Sequence, residues 1–287
     1  MEYLKLDNNV NMPIVGLGTW TLKGDNLASL IKEAVSLGYR KFDTAWKYKN
    51  EKDLGKAFKM VGVDRDKLFL TSKLHLNDLY LGGYHKRFHI KIKDVKSAYY
   101  ASCKRLGVDY LDMYLMHWPF LHYEELWKGM LQLYEDKLVK AIGVCSFCDF
   151  HLEKISKLSS VKPMLNQIEI SPLNTRNDVR KYCLENHIPI EAYSTFGAGY
   201  LTNAANKTIL NHPQLVDLAG KYGKSVGQII LRWLVQQGIS VVPRSRNYQR
   251  LADNINIFDF ELLPYDMEKI ESLNQNIFAW GNPQNAR

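Results

Sequence analysis

Four residues of the 287-residue chain combine reactive side chains with suggestive placement. Asp43 closes a short run in Asp-Thr-Ala, and Tyr48 follows five residues later. Lys73 ends Leu-Thr-Ser-Lys, and His117 ends Tyr-Leu-Met-His ahead of Trp-Pro. A lysine and a carboxylate at neighbouring positions pair, and a charged lysine beside a phenol lowers the phenol's pKa. Tyr48 would thereby become a better proton donor near neutral pH. His117 would donate a hydrogen bond to a substrate oxygen and fix its orientation. Each residue alone has an ordinary reading, because buried Lys–Asp pairs are often structural and strand-end histidines are usually just satisfied. Their joint placement at one end of three consecutive runs is what points to catalysis.

The elements that must position them are short apolar runs alternating with helical patterns. Strand-like runs fall at 14–18, 41–43, 68–73, 113–116, 141–144, 164–168, 188–193 and 240–243. Segments with 3.6-residue periodicity lie between them, at 27–37, 95–106, 179–185 and 226–235. Eight strands separated by helices predict an α/β fold, a (β/α)₈ TIM barrel whose parallel sheet closes on itself. In such a barrel the polar residues at the C-terminal strand ends form the active face, which is where all four candidates stand. Ahead of the first strand, residues 4–6 and 10–12 flank Asp7-Asn-Asn, a turn signal for an N-terminal β-hairpin capping the barrel bottom. No linker or low-complexity segment divides residues 1–287, so one domain is expected. A Pro264-led helix near the C-terminus leaves a tail to Arg287 at the active face.

Bulk properties narrow the class. The chain is 46% hydrophobic and 24% charged, enough apolar material for a large core. No run approaches the roughly 18 apolar residues of a membrane span, and the N-terminus lacks a signal-peptide centre, so a cytoplasmic protein is expected. The net charge of +8 is spread among acidic residues, with one dense stretch from His85 to Lys93 read as a surface loop without a nucleic-acid motif. Cys145 and Cys148 form a C-x-x-C pair but no second pair supplies a zinc site, and His85 and His89 at i, i+4 lack an HExxH setting. No metal is expected.

No Gly-rich dinucleotide fingerprint is present, since Gly197-Ala-Gly lacks a third glycine. An anionic phosphate is better suited by Val242-Pro-Arg-Ser-Arg-Asn-Tyr-Gln-Arg250, arginines and a serine leading from the last strand into a helix.

These features taken together resemble the aldo-keto reductase family over nearly the whole chain. The matching motifs are Gly16-Leu-Gly-Thr-Trp20, Asp43-Thr-Ala-Trp-Lys-Tyr48 with Asn50-Glu51, Lys73, Leu115-Met-His-Trp-Pro119, Ala141-Ile-Gly-Val144, Asn166-Gln-Ile-Glu169, Ala192-Tyr-Ser194 and the segment from Pro243 to Asn254. The resemblance, to a bacterial-type aldehyde or diketo-acid reductase, implies a tetrad of Asp43, Tyr48, Lys73 and His117, with Tyr48 the general acid in reduction. It implies NADPH, with Tyr193 stacked on the nicotinamide and Gln167 on its carboxamide. Thr19, Trp20 and Asp43 would lie along the ribose side and Ser194 near the pyrophosphate. Arg244, Ser245 and Arg250 would hold the 2′-phosphate and Asn254 would reach the adenine. Two departures fall at Cys145 and Ser146, where the family usually reads Ser-Asn. Ser146 is shorter than the amide that contacts the carboxamide, which leaves room for a bridging water. Ser171, Thr195 and Arg244 also depart, replacing a histidine, a proline and a lysine.

Trp20, Trp46, His117, Trp118, Phe120, Phe278 and Trp280 would line a pocket for a small carbonyl compound. A helical pattern near Tyr123 makes the loop after His117 short and the cleft open on that side. The 77–93 stretch is longer than in many relatives. A monomer is implied, with no nucleic-acid or membrane partner. Two competing functions remain: an NADPH-binding sensor or regulatory subunit with little turnover, and an unrelated barrel, such as a phosphate-sugar isomerase, whose basic loop holds substrate.

Overall fold

The computed structural model describes residues 2–24, 26–76, 92–197 and 209–285. Eight parallel strands run in chain order around one sheet: β3 (Leu17–Gly18), β4 (Lys41–Asp43), β5 (Phe69–Leu74), β6 (Leu111–Met116), β7 (Val139–Cys145), β8 (Asn166–Glu169), β9 (Ile190–Tyr193) and β10 (Ser240–Val241). Val15 bridges to Val241 in parallel, and Gly16 N–H and Val241 N–H bond across that seam, which closes the ring. The chain is a (β/α)₈ barrel, as the alternation of strand and helix patterns predicts.

The expected runs and the strands coincide to within a few residues, and the differences have a common cause. Parallel strands buried on both faces carry near-continuous apolar sequence, so their ends are set by hydrogen-bond register rather than by pattern. Strand β5 is buried at all six residues, and so is β6. The helices α1 (Asn26–Ser36), α2 (Glu51–Val61), α3 (Ile92–Leu106) and α4 (Tyr123–Glu135) turn one apolar face to the sheet, as do α5 (Asp149–Ser156), α6 (Asn177–Glu185), α7 (Pro213–Tyr222) and α8 (Val226–Val235). Ser225 and Gln228 form a capping box that starts α8, and Gly223 in the left-handed region stops α7. Trp127 and Trp233, which lie in helical patterns, are fully buried core residues.

The hairpin of β1 (Tyr3–Lys5) and β2 (Asn11–Pro13) is antiparallel, turning through Asn9 at φ 66°. Its Leu6 and Met12 pack with Phe69, Met113, Leu115 and Leu165, which plugs the barrel end opposite the active face. Two further helices follow the ring, α9 (Tyr248–Ile255) and α10 (Pro264–Glu271). The His85–His89 pair and most of the 77–93 stretch, with most of the basic run that ends at Lys93, lie outside the described residues.

Candidate active site

Tyr48 reaches the rim through one turn of 3₁₀ helix, Trp46–Tyr48, directly after β4. Lys49 closes that turn in the left-handed conformation, its N–H bonding to Trp46 O at 3.2 Å. The turn is held from below by Asn50. Its Oδ1 accepts from Thr44 Oγ1 at 2.7 Å, while Nδ2 donates to Thr19 O at 2.8 Å and Leu22 O at 3.0 Å. One amide thus ties the β3 loop to the β4 loop. Thr19 Oγ1 adds a bond to Asp43 O at 2.8 Å. Gly18 permits the approach, because a Cβ there would lie 2.6 Å from Val242 O.

The carboxylate and the lysine meet where neighbouring strands bring them. Lys73 Nζ lies 2.6 Å and 2.5 Å from the two Asp43 oxygens, 3.1 Å from Thr44 O and 3.2 Å from the Tyr48 hydroxyl. Burial disfavours the charged lysine, but Asp43, then Tyr48 and Cys145, outweigh it and raise its pKa above the ordinary value. Lys73 therefore stays charged. For Tyr48 the balance differs from the sequence expectation. Burial raises the phenol more than Lys73 lowers it, so Tyr48 remains a protonated acid well above neutral pH rather than one tuned close to it.

His117 stands across from the phenol, ring centroids 5.7 Å apart and nearly perpendicular. Burial first, then Lys73, His75 and Lys47, hold its pKa well below the ordinary histidine value. The imidazole is neutral, with one N–H to donate, and its buried Nδ1 has no hydrogen-bond partner among the described residues. His75 stacks on Trp46 at 5.2 Å and meets His117 at 6.0 Å and Phe120 at 4.9 Å. Sequence reasoning passed over it. Its one signal was a polar residue two positions beyond Lys73. Burial and the Lys47 and Lys49 charges lower its pKa to about 4.

Both histidines carry folded pKa values below the roughly 6.5 of an unfolded chain. The unfolded state then binds more protons in acid, so stability is complete above about pH 6.5 and falls as pH drops toward 4. A melting-temperature series against pH should show that decline, and His75→Phe should make it shallower.

Beneath the rim, a row of polar side chains crosses the barrel interior. Cys145 on β7 is in register with Gln167 on β8, Gln167 with Glu191 on β9, and Glu191 with Ser240 on β10. Gln167 Nε2 donates to Asp43 Oδ2 at 3.0 Å and to Glu191 Oε1 at 2.8 Å. Ser146 adopts φ 62° after β7, and its Oγ lies 2.9 Å from the Tyr193 hydroxyl. Cys145 and Cys148 are buried free thiols, and burial pushes Cys145 up to about 12, so neither acts as a thiolate. Among the described residues no group of three or more metal-ligating side chains gathers.

The remaining expected residues fall into two places. Ser245 and Asn254 are buried at α9, while Arg244 and Arg250 are exposed around its N-terminus, where Asn247 caps the Arg250 N–H at 3.0 Å. At the opposite wall, Glu169 accepts the N–H groups of Ala279 at 2.7 Å and Trp280 at 3.2 Å, anchoring the tail. Trp280 then meets Trp20 edge-on at 4.9 Å and donates from Nε1 to Ser194 Oγ at 2.6 Å. The tail tryptophan and the serine expected near the pyrophosphate therefore touch. Phe278 lies instead against the Arg176 guanidinium, 5.1 Å from its ring centre. Trp118 and Phe120 are half-buried beside His117.

A closed (β/α)₈ barrel with a Tyr–Lys–Asp–His cluster at the C-terminal strand ends defines the class as a barrel protein with a buried polar cluster at one face. The Aldo/keto reductase family model matches residues 14–275, and the chain belongs to that family; it is an oxidoreductase. It is 40% identical to a glyoxal reductase of Bacillus subtilis, an alignment covering 98% of this chain and 96% of the relative. It is 37% identical to the methylglyoxal reductase DkgA of Escherichia coli strain K12, covering 95% and 93%. An aldo-keto reductase of Bombyx mori, solved in complex with NADP, superposes with a TM-score of 0.86 at 33% identity, covering 97% and 94%.

Proposed function

We propose that this chain uses NADPH to reduce small aldehydes and ketones to alcohols, with Tyr48 as the proton donor. The observation that carries the reading is the single contact set of Lys73 Nζ, which touches both Asp43 oxygens and the Tyr48 hydroxyl in front of the His117 ring. A buried phenol held in its acid form and a neutral imidazole with a free side face the same corner. That pairing suits a carbonyl oxygen that must be oriented and then protonated.

The residues fit the cofactor on two counts. Arg250 makes no ion pair with another described residue and stands with Arg244 at a capped helix N-terminus, a setting suited to a 2′-phosphate. The Gln167 amide has both N–H groups committed to carboxylates, which leaves its oxygen for a carboxamide. When bound, the nicotinamide supplies the hydride. His117 would orient the substrate oxygen, Tyr48 Oη would deliver the proton, and Lys73, fixed by Asp43, would stabilise the phenolate left behind. Trp46, Trp118 and Phe120 would exclude water around that oxygen, with Trp20 and Trp280 forming the opposite wall.

The relatives that reduce glyoxal and methylglyoxal support α-oxoaldehydes as the substrate class. Mixing the protein with NADPH and methylglyoxal should give steady loss of the nicotinamide absorbance. Tight NADPH binding without turnover across a carbonyl panel would favour a binding-only role, and no NADPH binding would overturn the reading.

Ser146 offers a graded test of the cofactor contacts. Asparagine tolerates the left-handed backbone better than serine and brings an amide to the carboxamide side. Ser146→Asn should lower the NADPH dissociation constant by about 3- to 10-fold, the worth of about one added hydrogen bond. A fluorescence titration reads this directly.

A further inference from the structure

The barrel interior beneath the tetrad holds a second ion pair that the proposed chemistry does not use. Lys41 and Glu191 are both fully buried, with Lys41 Nζ on Glu191 Oε2 and on Ser240 Oγ. Ser240 Oγ also lies 2.8 Å from Glu191 Oε2 and 2.9 Å from Ile14 O. Burial works against the Glu191 carboxylate, yet Lys41, Gln167 and Ser240 together keep its pKa below the ordinary value, so it stays charged. A buried ion pair adds little stability over apolar side chains of the same volume, so stability alone is a weak reason for this one.

A stronger reason lies at the other Glu191 oxygen. Oε1 accepts from Gln167 Nε2 at 2.8 Å, and the same nitrogen donates to Asp43 Oδ2 at 3.0 Å. An amide nitrogen has two protons, and here each meets a carboxylate. The opposite amide orientation would aim a carbonyl oxygen at two anions. With the nitrogen trapped between β4 and β9, Gln167 Oε1 turns toward Cys145 Sγ, 3.7 Å away at the end of β7. One carboxylate alone would leave the second N–H uncommitted and hold the amide less firmly against turning.

We propose that Glu191, held by Lys41 and Ser240, is a positioning residue that locks the Gln167 amide so that only its oxygen faces a nicotinamide carboxamide. The inference rests on the NADPH reading above. Glu191 would act through Gln167, its partner at 2.8 Å, rather than on cofactor or substrate itself.

Two double variants separate positioning from packing. Lys41→Met with Glu191→Met removes both charges and the acceptor, whereas Lys41→Met with Glu191→Gln removes both charges but keeps an acceptor oxygen. Fluorescence titration would measure NADPH and 2′,5′-ADP, a fragment that carries the 2′-phosphate but no nicotinamide. The first variant should bind NADPH about 10-fold more weakly and the second within about 3-fold of wild type, the scale of one hydrogen bond. Both should bind 2′,5′-ADP as wild type does. Equal NADPH affinity in the two variants, or parallel loss of both ligands, would overturn the proposal. If the methionine pair does not fold, Glu191→Asp draws the carboxylate back while keeping its charge. Weaker NADPH binding with unchanged 2′,5′-ADP binding would then support positioning, and unchanged NADPH binding would refute it. Wild-type protein that binds no NADPH would overturn the functional reading and this inference with it, a result distinct from either variant outcome.

Discussion

Tyr48→Phe should bind NADPH with wild-type affinity and reduce methylglyoxal about 10²–10⁴-fold more slowly, the range that a positioned general acid supplies. The substitution removes one oxygen and little else. The ring keeps its edge-on contact with His117, and the 3₁₀ turn is fixed by the backbone and by Asn50 rather than by the hydroxyl. Lys73 loses its 3.2 Å partner but keeps both Asp43 oxygens and Thr44 O, so no buried charge is left alone. Loss of rate without loss of fold or cofactor affinity would locate the defect in proton delivery. Single-turnover mixing of the NADPH complex with substrate measures that step. A variant with full rate would move the proton to His117 or water and dissolve the role assigned here.

The elements behind this prediction were readable in the sequence to different depths. Asp43, Lys73 and His117 each stand at the end of a short strand-like run, and a reactive residue at that place marks the strand's active end. Tyr48 followed because only one short turn separates it from Asp43. The interior row was not readable. Lys41 meets Glu191 and Ser240 across 150 and 199 residues of chain, and nothing in the short runs that hold them marks these partners. Ring closure creates those contacts, and no local period encodes them. Glu169 stands in the Asn166-Gln-Ile-Glu motif, but its hold on the tail depends on where residues 279 and 280 return after the last helix. Tyr48 shows a third limit. Spacing indicates that a lysine is near the phenol, but only packing shows that burial outweighs it.

Lys73→Met is the second large effect expected, and it should damage stability and chemistry together. The methionine matches the lysine in volume but leaves the buried Asp43 carboxylate with Gln167 as its one remaining side-chain partner among the described residues. Removing one member of a buried ion pair typically costs about 3–5 kcal/mol, because the survivor is desolvated without compensation. Burial already holds the Asp43 pKa above its ordinary value despite Lys73; without Lys73 it rises further above the roughly 3.9 of an unfolded chain, and Asp43 escapes the penalty by taking up a proton. A group whose folded pKa is raised lends stability below its unfolded pKa and loses it as pH rises, so Lys73→Met should melt progressively lower above about pH 4. Asp43→Asn in the same chain removes the charge that must be neutralised and should restore most of the melting temperature. It should not restore turnover, since the double variant still lacks the cation that stabilises the Tyr48 phenolate, and its rate should stay about 10²-fold or more below wild type. Recovery of both properties together would mean that Lys73 only balances Asp43 and takes no part in moving the proton.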